Sequence, residues 1–221
     1  LLVRAYSADV AFTPMIYAKH FVASEKCREA EFITSIGLSF IALSTFVRLK
    51  QFYVLLFYAG DQPTIVQFAT NDPEEFAEAA MFVSRNCEGV DLNCGCPQRD
   101  VMKEGYGSSL LTEPARIADI VATTRRRISR ADFTVSFDGI TFLSFQQLTL
   151  ETCRRAESAG VSFITVHGRT PEQRSEPADF DMIKLIKSSL SIPVIANGGV
   201  KSYKQALEIA KYTGADGIIL L

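Results

Sequence analysis

The sequence lacks the closely spaced cysteine and histidine pairs from which zinc centres are built. Among its 221 residues there are only two histidines, His20 and His167, and none of the five cysteines forms a Cys-x-x-Cys pair. Zinc sites of the finger type need such pairs at short spacing, so we expect no metal centre. An odd number of cysteines, in a chain without a secretory leader, also argues against a disulfide framework and indicates a reducing compartment.

The sequence also lacks an excess of charge and a membrane-spanning run. Its formal net charge is −2, so contact with nucleic acid must come from local patches rather than from overall charge. The unusually apolar stretch 38–60 carries Arg48, Lys50 and Gln51 at its centre. Each charge there costs about 2.5–3.5 kcal/mol in a membrane. We therefore interpret 38–60 as an insertion packed on the domain, or as sequence foreign to the fold.

What the sequence does contain is a regular alternation of strand-like and helix-like segments. Seven short apolar runs read as strands, at 9–15, 64–69, 89–92, 133–137, 162–166, 193–196 and 216–221. Helical patterns fill the intervals, at 19–32, 73–86, 115–128, 148–159, 181–190 and 204–213. Strands that are apolar throughout indicate a parallel sheet covered on both sides. The pattern predicts one α/β domain over 1–221, a (β/α)8 TIM barrel that is incomplete because its first strand would precede Leu1.

The loop after the third strand-like run is the first candidate for chemistry. It carries Cys94 and Cys96, and Cys96 lies between Gly95 and Pro97 on a stiff turn at the carboxyl end of a strand. Active sites of parallel α/β domains lie at that end. We favour Cys96 over Cys94 as the functional thiol. The sequence around Cys96 carries no signature of a Cys-His hydrolase. The remaining cysteines are expected to be buried in helices, namely Cys27, Cys87 and Cys153.

Other polar residues follow the strands at the same end. Gln67, Asn93, and His167 with Arg169 each stand where an apolar run stops. The run 193–196 leads into Asn197, Gly198 and Gly199, whose free backbone N–H groups could bind a phosphate. Two simpler interpretations stay open: a structural histidine at His167, and a tight strand-to-helix turn at the glycine pair.

Four motifs together resemble the tRNA-dihydrouridine synthases, most closely the eukaryotic dihydrouridine synthase 4-like branch. They are TIVQFA, VDLNCGCPQ with the EGYG that follows, ITVHGRT and IPVIANGG, and the resemblance covers 5–37 and 61–221. The resemblance implies an FMN-binding barrel that reduces the C5–C6 bond of a uridine in tRNA, with NADPH reducing the flavin. Cys96 would then be the general acid that protonates C5 while hydride passes from flavin N5 to C6.

The resemblance also assigns roles to the other strand-end residues. Gln67 would hydrogen-bond the isoalloxazine edge, and Asn93 would help to position the uracil. His167 would contact the flavin or its phosphate side, with Arg169 near the rim. The remaining cofactor-binding residues would be the phosphate ligands and the second-strand turn, namely Asn197, Gly198, Gly199, Pro14 and Met15.

The chain departs from the family pattern at several points. The resemblance implies a lysine beside the flavin after the strand 133–137, but this sequence has Asp138 and Gly139 there, opening the aromatic-rich run 138–147. Residues 38–60 have no counterpart in the family. The family's first strand, with its own Pro-Met turn, and its carboxy-terminal helical domain are also absent, which indicates a truncated or mis-spliced product.

Three functions therefore remain in view. The first is a tRNA-dihydrouridine synthase with FMN and NADPH as cofactors. The second is another FMN barrel that reduces a small pyrimidine or enone, and the third is a non-catalytic remnant of the family. For the first we expect tRNA as partner, no membrane contact, no metal, and a monomer in the cytoplasm, with the nucleus as the alternative location.

Overall fold

A computed structural model describes residues 8–34, 56–57, 63–140, 146–173 and 176–219. The strands are β1 (Ala11–Phe12), β2 (Ile16–Tyr17), β3 (Ile33–Thr34), β4 (Leu56–Phe57), β5 (Thr64–Ala69), β6 (Gly89–Cys94), β7 (Thr134–Ile140), β8 (Phe163–His167), β9 (Val194–Asn197) and β10 (Gly217–Ile218). The helices are α1 (Ala18–Ala23), α2 (Glu25–Glu31), α3 (Pro73–Val83), α4 (Arg99–Lys103), α5 (Pro114–Arg127), α6 (Gln146–Ser158), α7 (Phe180–Ser189) and α8 (Tyr203–Thr213). A 3-10 helix spans Gly107–Thr112.

The main sheet is parallel throughout and follows the order of the sequence. Its order is β1-β5-β6-β7-β8-β9-β10, and β2 pairs with the far end of β5. β1 and β2 therefore act as one strand that is interrupted at residues 13–15. The sheet curls into a half-barrel with helices between the strands, which confirms the prediction of an incomplete TIM-barrel fold. In the described residues, no pairing joins β1 to β10.

The two faces of the sheet differ in chemistry because successive strand residues point to opposite sides. One face is apolar, and its side chains, such as Leu92, Phe137 and Ile164, pack with the helices in the main hydrophobic core. The other face, which we call the concave face, carries polar side chains: Gln67, Asp91, Asn93, Ser136, Asp138, Thr165, His167 and Asn197. Helices on one side and polar groups on the other leave the concave face available for a ligand.

The sequence signals for helix ends are mostly confirmed. Asp72 caps α3 by accepting hydrogen bonds from the backbone N–H groups of Glu74 and Glu75, with Pro73 in the first turn. Gly214 ends α8 with a φ of 72°. The helix predicted at 19–32 was wrong in one respect, since Ser24 interrupts it and caps α2 with its own side chain.

The structure differs from the sequence predictions at three further points. The strand predicted at 133–137 continues to Ile140, so Asp138 belongs to β7 rather than to a loop. The short helix α4 and the 3-10 helix after the Cys96 loop were not predicted. Cys27 is partly exposed, whereas Cys87 and Cys153 are buried as expected.

The predicted insertion at 38–60 lies outside the described residues apart from β4. That strand pairs in parallel with β3 in a separate two-stranded sheet. Residues 141–145 of the aromatic-rich run are also outside the described part. Within the described residues, no helix combines the length and the apolar character that a membrane crossing requires.

Leu92→Ala tests the packing between sheet and helices. Leu92 is fully buried, so truncation should lower the free energy of unfolding by about 2–5 kcal/mol. Leu207→Ala is the matched control, because Leu207 on α8 is 54% exposed and should change stability by less than about 0.5 kcal/mol. Urea denaturation of both variants measures the difference, and equal losses would contradict the described core.

Candidate active site

The predicted site residues meet at the carboxyl ends of the strands. Gln67 lies on β5, Asn93 on β6, and His167 and Asn197 occupy paired positions on β8 and β9. The loop with Cys96 follows β6 directly. Residues far apart in sequence thus reach one end of the concave face, as the strand-end pattern predicts.

A chain of hydrogen bonds runs from the sheet interior to the Cys96 loop. Asp91, which is fully buried, accepts one hydrogen bond from the Ser136 hydroxyl at 2.6 Å and one from Gln67 Nε2 at 2.8 Å. Asn93 Nδ2 donates to Gln67 Oε1 at 2.9 Å. The backbone N–H of Cys96 donates to Asn93 Oδ1 at 3.0 Å.

The donor and acceptor of each hydrogen bond in this series are fixed by the groups at its two ends. The backbone N–H of Cys96 can only donate, so Asn93 must present its oxygen to it and its amide nitrogen to Gln67. Gln67 must in turn present its nitrogen to Asp91, which serves as the final acceptor. Each of the two amides keeps one further N–H, and these groups can donate to a ligand.

The backbone of Cys96 is held from a second side as well. Its carbonyl oxygen accepts a hydrogen bond of 3.0 Å from the Ser108 N–H. Gly107 adopts a φ of +60° and packs so closely that a Cβ there would lie 2.5 Å from this carbonyl oxygen. The thiol of Cys96 is therefore carried by a fixed, partly exposed loop.

Cys94 occupies a different environment. Its side chain is fully buried and belongs to the main hydrophobic core. Burial, with the neighbouring carboxyls of Asp91 and Asp138, raises the pKa of the Cys94 thiol well above its ordinary value. The structure thus leaves Cys96 as the thiol of this loop that a ligand can reach.

An aromatic cluster stands beside Cys96, and sequence reasoning missed it. Tyr17 and Tyr106 lie with ring centroids 6.2 Å apart, and they share a small hydrophobic cluster with Met15 and Cys96. Burial, followed by the nearby Cys96, raises the pKa of Tyr17. In the sequence, Tyr17 follows the Pro14-Met15 turn closely and Tyr106 is the tyrosine of the EGYG motif. These positions were the only sequence signal for the cluster.

The turn at Pro14 and Met15 is tied to β5. Thr13 Oγ1 donates to the Pro14 carbonyl at 2.8 Å and accepts the Gln67 N–H at 3.0 Å. Met15 is partly buried in the cluster beside Cys96, whereas Pro14 is exposed. Of the two predicted cofactor residues in this turn, Met15 is therefore the one that borders the site.

The glycine pair after β9 forms a cradle beside a guanidinium group. Gly198 and Gly199 have φ values of 140° and 66°, and a Cβ on Gly199 would lie 2.7 Å from Arg169 Nη2. Arg169 is anchored through Nε to the Glu176 carbonyl at 2.7 Å. His167 lies close by, and burial followed by the charge of Arg169 lowers its pKa, so it is neutral at neutral pH. These groups suit an anion such as a phosphate.

Unpartnered polar atoms mark the concave face as a binding surface. Five buried side-chain atoms have no hydrogen-bond partner among the described residues, and four of them lie on this face. The four are Asp138 Oδ1, Thr165 Oγ1, His167 Nδ1 and Asn197 Oδ1. Buried polar groups normally have hydrogen-bond partners. Four atoms without partners on three adjacent strands therefore fit the polar edge of a bound heterocycle.

The basic run at the end of α5 does not contribute to this site. Arg125 donates to the carbonyls of Phe133 and Gly160, which precede β7 and β8 at the opposite end of the sheet. Arg127 pairs with Glu74. Arg125 therefore holds loops together at the amino ends of the strands, and Arg127 joins the end of α5 to the first turn of α3. In the described part of the chain, no cluster of three or more histidine, cysteine and acidic side chains is suited to a metal ion.

Comparison with known proteins shows the family of the chain. The family model for dihydrouridine synthases matches residues 1–220. The chain is 47% identical to an uncharacterized tRNA-dihydrouridine synthase-like protein of Caenorhabditis elegans, over 99% of this chain and 68% of that protein. It is 42% identical to a human tRNA-dihydrouridine(20a/20b) synthase-like protein and 35% identical to the Schizosaccharomyces pombe tRNA-dihydrouridine(20a/20b) synthase. The chain spans 62% and 59% of the length of these two relatives, which cover 99% of it.

Solved structures share the fold at low identity. A 2,3-dimethylmalate lyase superimposes with a TM-score of 0.51 at 18% identity, over 73% of this chain and 54% of that one. Dihydrodipicolinate synthase from Agrobacterium tumefaciens gives a TM-score of 0.50 at 11% identity, over 67% of this chain and 48% of that one. Such neighbours are TIM-barrel enzymes, so the likeness concerns the fold alone.

Gly107→Ala should release the Cys96 loop. Both Gly107 and Gly105 have positive φ values, so alanine at either position costs about 1–2 kcal/mol in backbone strain. Only at Gly107 would the new Cβ press on Cys96, because at Gly105 it would meet the Asn71 side chain. We expect faster alkylation of Cys96 in Gly107→Ala, measured by peptide mass spectrometry, and an unchanged rate in Gly105→Ala. Equal rates in the two variants would contradict the described contact.

Asp91 should give the stability of the chain a pH dependence. Burial raises the pKa of Asp91 from 3.8 to about 6, so in this range the folded chain holds a proton that the unfolded chain releases. The free energy of unfolding should therefore fall as pH rises through about 6. Asp91→Asn should lose the share of this decline that Asp91 causes and keep the share from Asp138, whose pKa is also raised by burial and by the charge of Asp91. Asp132→Asn, which changes an exposed carboxyl, should keep the whole decline. Denaturant titrations across a pH series measure this difference. Parallel curves of unfolding free energy against pH for all three proteins would refute the raised pKa of Asp91.

Proposed function

Because the chain belongs to the dihydrouridine synthase family, we propose that it is a flavin-dependent tRNA-dihydrouridine synthase. The reaction is the reduction of the C5–C6 double bond of a uridine in tRNA, with NADPH as the reductant. The observation that carries the proposal is the fixed, partly exposed thiol of Cys96 at the end of a concave face with open polar atoms. Since several relatives are longer than this chain, the activity of the whole protein is part of the proposal.

The residues of the concave face fit FMN. The phosphate would lie in the cradle of Gly198 and Gly199, next to Arg169 and after Asn197, where backbone N–H groups and a guanidinium are available. His167, neutral and with an open Nδ1, would accept or donate a hydrogen bond beside the cofactor. Bound FMN would supply the hydride for the reduction.

Two amides would orient the ring systems. Gln67 has one N–H left for the edge of the isoalloxazine, and Asn93 has one for a carbonyl oxygen of the uracil. Because each amide is fixed by its other hydrogen bonds, little freedom is lost when the ligand arrives. Met15 and the turn at Pro14 would border the ring from the segment between β1 and β2, beside β5.

Cys96 would act as the general acid at C5. Protonation of that carbon needs an acid close to a base that has been taken out of its stack, and a loop thiol at the mouth of the site meets this need. The two hydrogen bonds to its backbone hold the loop while the thiol stays partly exposed. Tyr17 and Tyr106 would exclude water on one side.

The remaining parts of the proposal concern partners and location. The names of the relatives include NAD(P)+ and tRNA. On the basis of this similarity, NADPH is proposed as the reductant and tRNA as the substrate. With a net charge of −2, tRNA would be held by local basic patches rather than by overall charge. We propose a monomer in the cytoplasm, with the nucleus as the alternative.

Cys96→Ala should separate chemistry from cofactor binding. The chain, supplied with FMN, NADPH and tRNA that lacks dihydrouridine, should form dihydrouridine, quantified by nucleoside mass spectrometry. The variant should retain bound FMN and lose about 100-fold or more in rate, the usual contribution of a general acid.

Cys27→Ala serves as the matched control, since Cys27 is a partly exposed cysteine on α2, outside the site. It should keep both FMN and activity. Loss of flavin in Cys96→Ala would count against the role of the thiol, and an active Cys96→Ala enzyme would rule that role out.

A further inference from the structure

Asp138 is a carboxyl on the concave face that receives no donor from the described residues. It lies on β7, opposite Asn93 of β6 and Thr165 of β8. Its Oδ1 atom is buried and has no hydrogen-bond partner in the described part of the chain. Asp138 as a whole is half-buried, and it is the Oδ1 oxygen that lacks both solvent and a donor. An ionised carboxylate with such an oxygen is disfavoured, so the neutral acid is the stable form at this position.

The charge of this region belongs to Asp91 instead. Asp91 pairs with Ser136, two residues before Asp138 on the same face, and both of its oxygens accept hydrogen bonds. Two carboxyls on neighbouring strands do not ionise together readily, and the one with donors loses its proton first. Burial and the charge of Asp91 accordingly raise the pKa of Asp138 well above its ordinary value.

No positive charge compensates for Asp138 from the neighbouring strands. Among the described residues of the two neighbouring strands, the titratable side chains are Asp91 and Cys94 on β6 and His167 on β8. Burial raises the pKa of Cys94 and lowers that of His167, so both are neutral at neutral pH. Asp138 therefore keeps its proton in the described environment.

We propose that Asp138 is a neutral hydrogen-bond donor of the ligand site, whose proton meets an acceptor on the flavin ring, a carbonyl oxygen or an unprotonated ring nitrogen. The unpartnered atoms of Thr165 and Asn197 lie between Asp138 and the glycine cradle. A ligand with its phosphate in that cradle would extend its ring along Thr165 towards Asp138. The inference rests on the proposed function, because FMN supplies the acceptor.

The protonation of Asp138 can be tested without any ligand. Infrared spectra of the chain and of Asp138→Asn at neutral pH should differ by the carbonyl band of a protonated carboxylic acid, present only in the unchanged chain. Asp138→Asn has almost the same shape and is neutral, so it should fold. A difference spectrum with only carboxylate bands would overturn the inference.

The donor role is tested by FMN affinity, followed through the quenching of flavin fluorescence. Asp138→Asn keeps an N–H at the same position and should bind FMN as the unchanged chain does. Asp138→Leu has similar size but no donor and should bind about five- to tenfold more weakly, as expected for one hydrogen bond. Asp132→Asn, an exposed carboxyl paired with Arg130, should have no effect.

The outcomes separate this inference from the proposed function. FMN binding that is equal in Asp138→Leu and in the unchanged chain would overturn the donor role and leave the flavin enzyme standing. Binding that is as weak in Asp138→Asn as in Asp138→Leu would also overturn it, since the charged form would then be the one required. Absence of FMN binding in every protein, Asp132→Asn included, would contradict the proposed function and the inference together.

Discussion

The buried carboxylate of Asp91 is the constraint on which the site depends. It ends a chain of hydrogen bonds that starts at the backbone of Cys96 and passes through Asn93 and Gln67. Since a backbone N–H can only donate, every amide in this chain has one orientation, and an acceptor must stand at its end. The register of β5, β6 and β7 and the position of the Cys96 loop are therefore set together.

The concave face departs from the rule that buried polar groups are satisfied. The hydrogen bonds from Asp91 to Cys96 form an unbroken series that leaves one N–H each on Gln67 and Asn93. By contrast, the concave-face residues after it each keep a buried atom without a partner among the described residues, namely Asp138, Thr165, His167 and Asn197. Satisfied groups make the face rigid, and open groups make it receptive to a ligand. Under the proposed function the first set holds the thiol loop, and the second set meets the cofactor.

The fold followed largely from local signals in the sequence. Apolar strands bounded by turns, the cap at Asp72 and the stop at Gly214 all act over a few residues, so they can be read without tertiary information. The strand-end residues could be gathered because a parallel sheet brings the carboxyl ends of its strands together.

The missed features depend on register and packing. Asp91 and Thr165 stand inside apolar strands, and only the pairing of strands reveals that they share a face. The sequence predicted that the strand ends before Asp138, because a glycine and several aromatic residues follow it. Pairing with β6 and β8 keeps Asp138 in the strand. Tyr17 meets Tyr106 only through the tertiary fold.

The most direct test of the account is a titration of the purified chain with FMN, read as the change in flavin absorbance and fluorescence, followed by removal of free flavin. We expect a yellow protein with about one FMN per chain, because the glycine cradle and the unpartnered polar atoms lie along one face of the sheet. A colourless protein after this treatment would contradict the claim that the concave face is a flavin site.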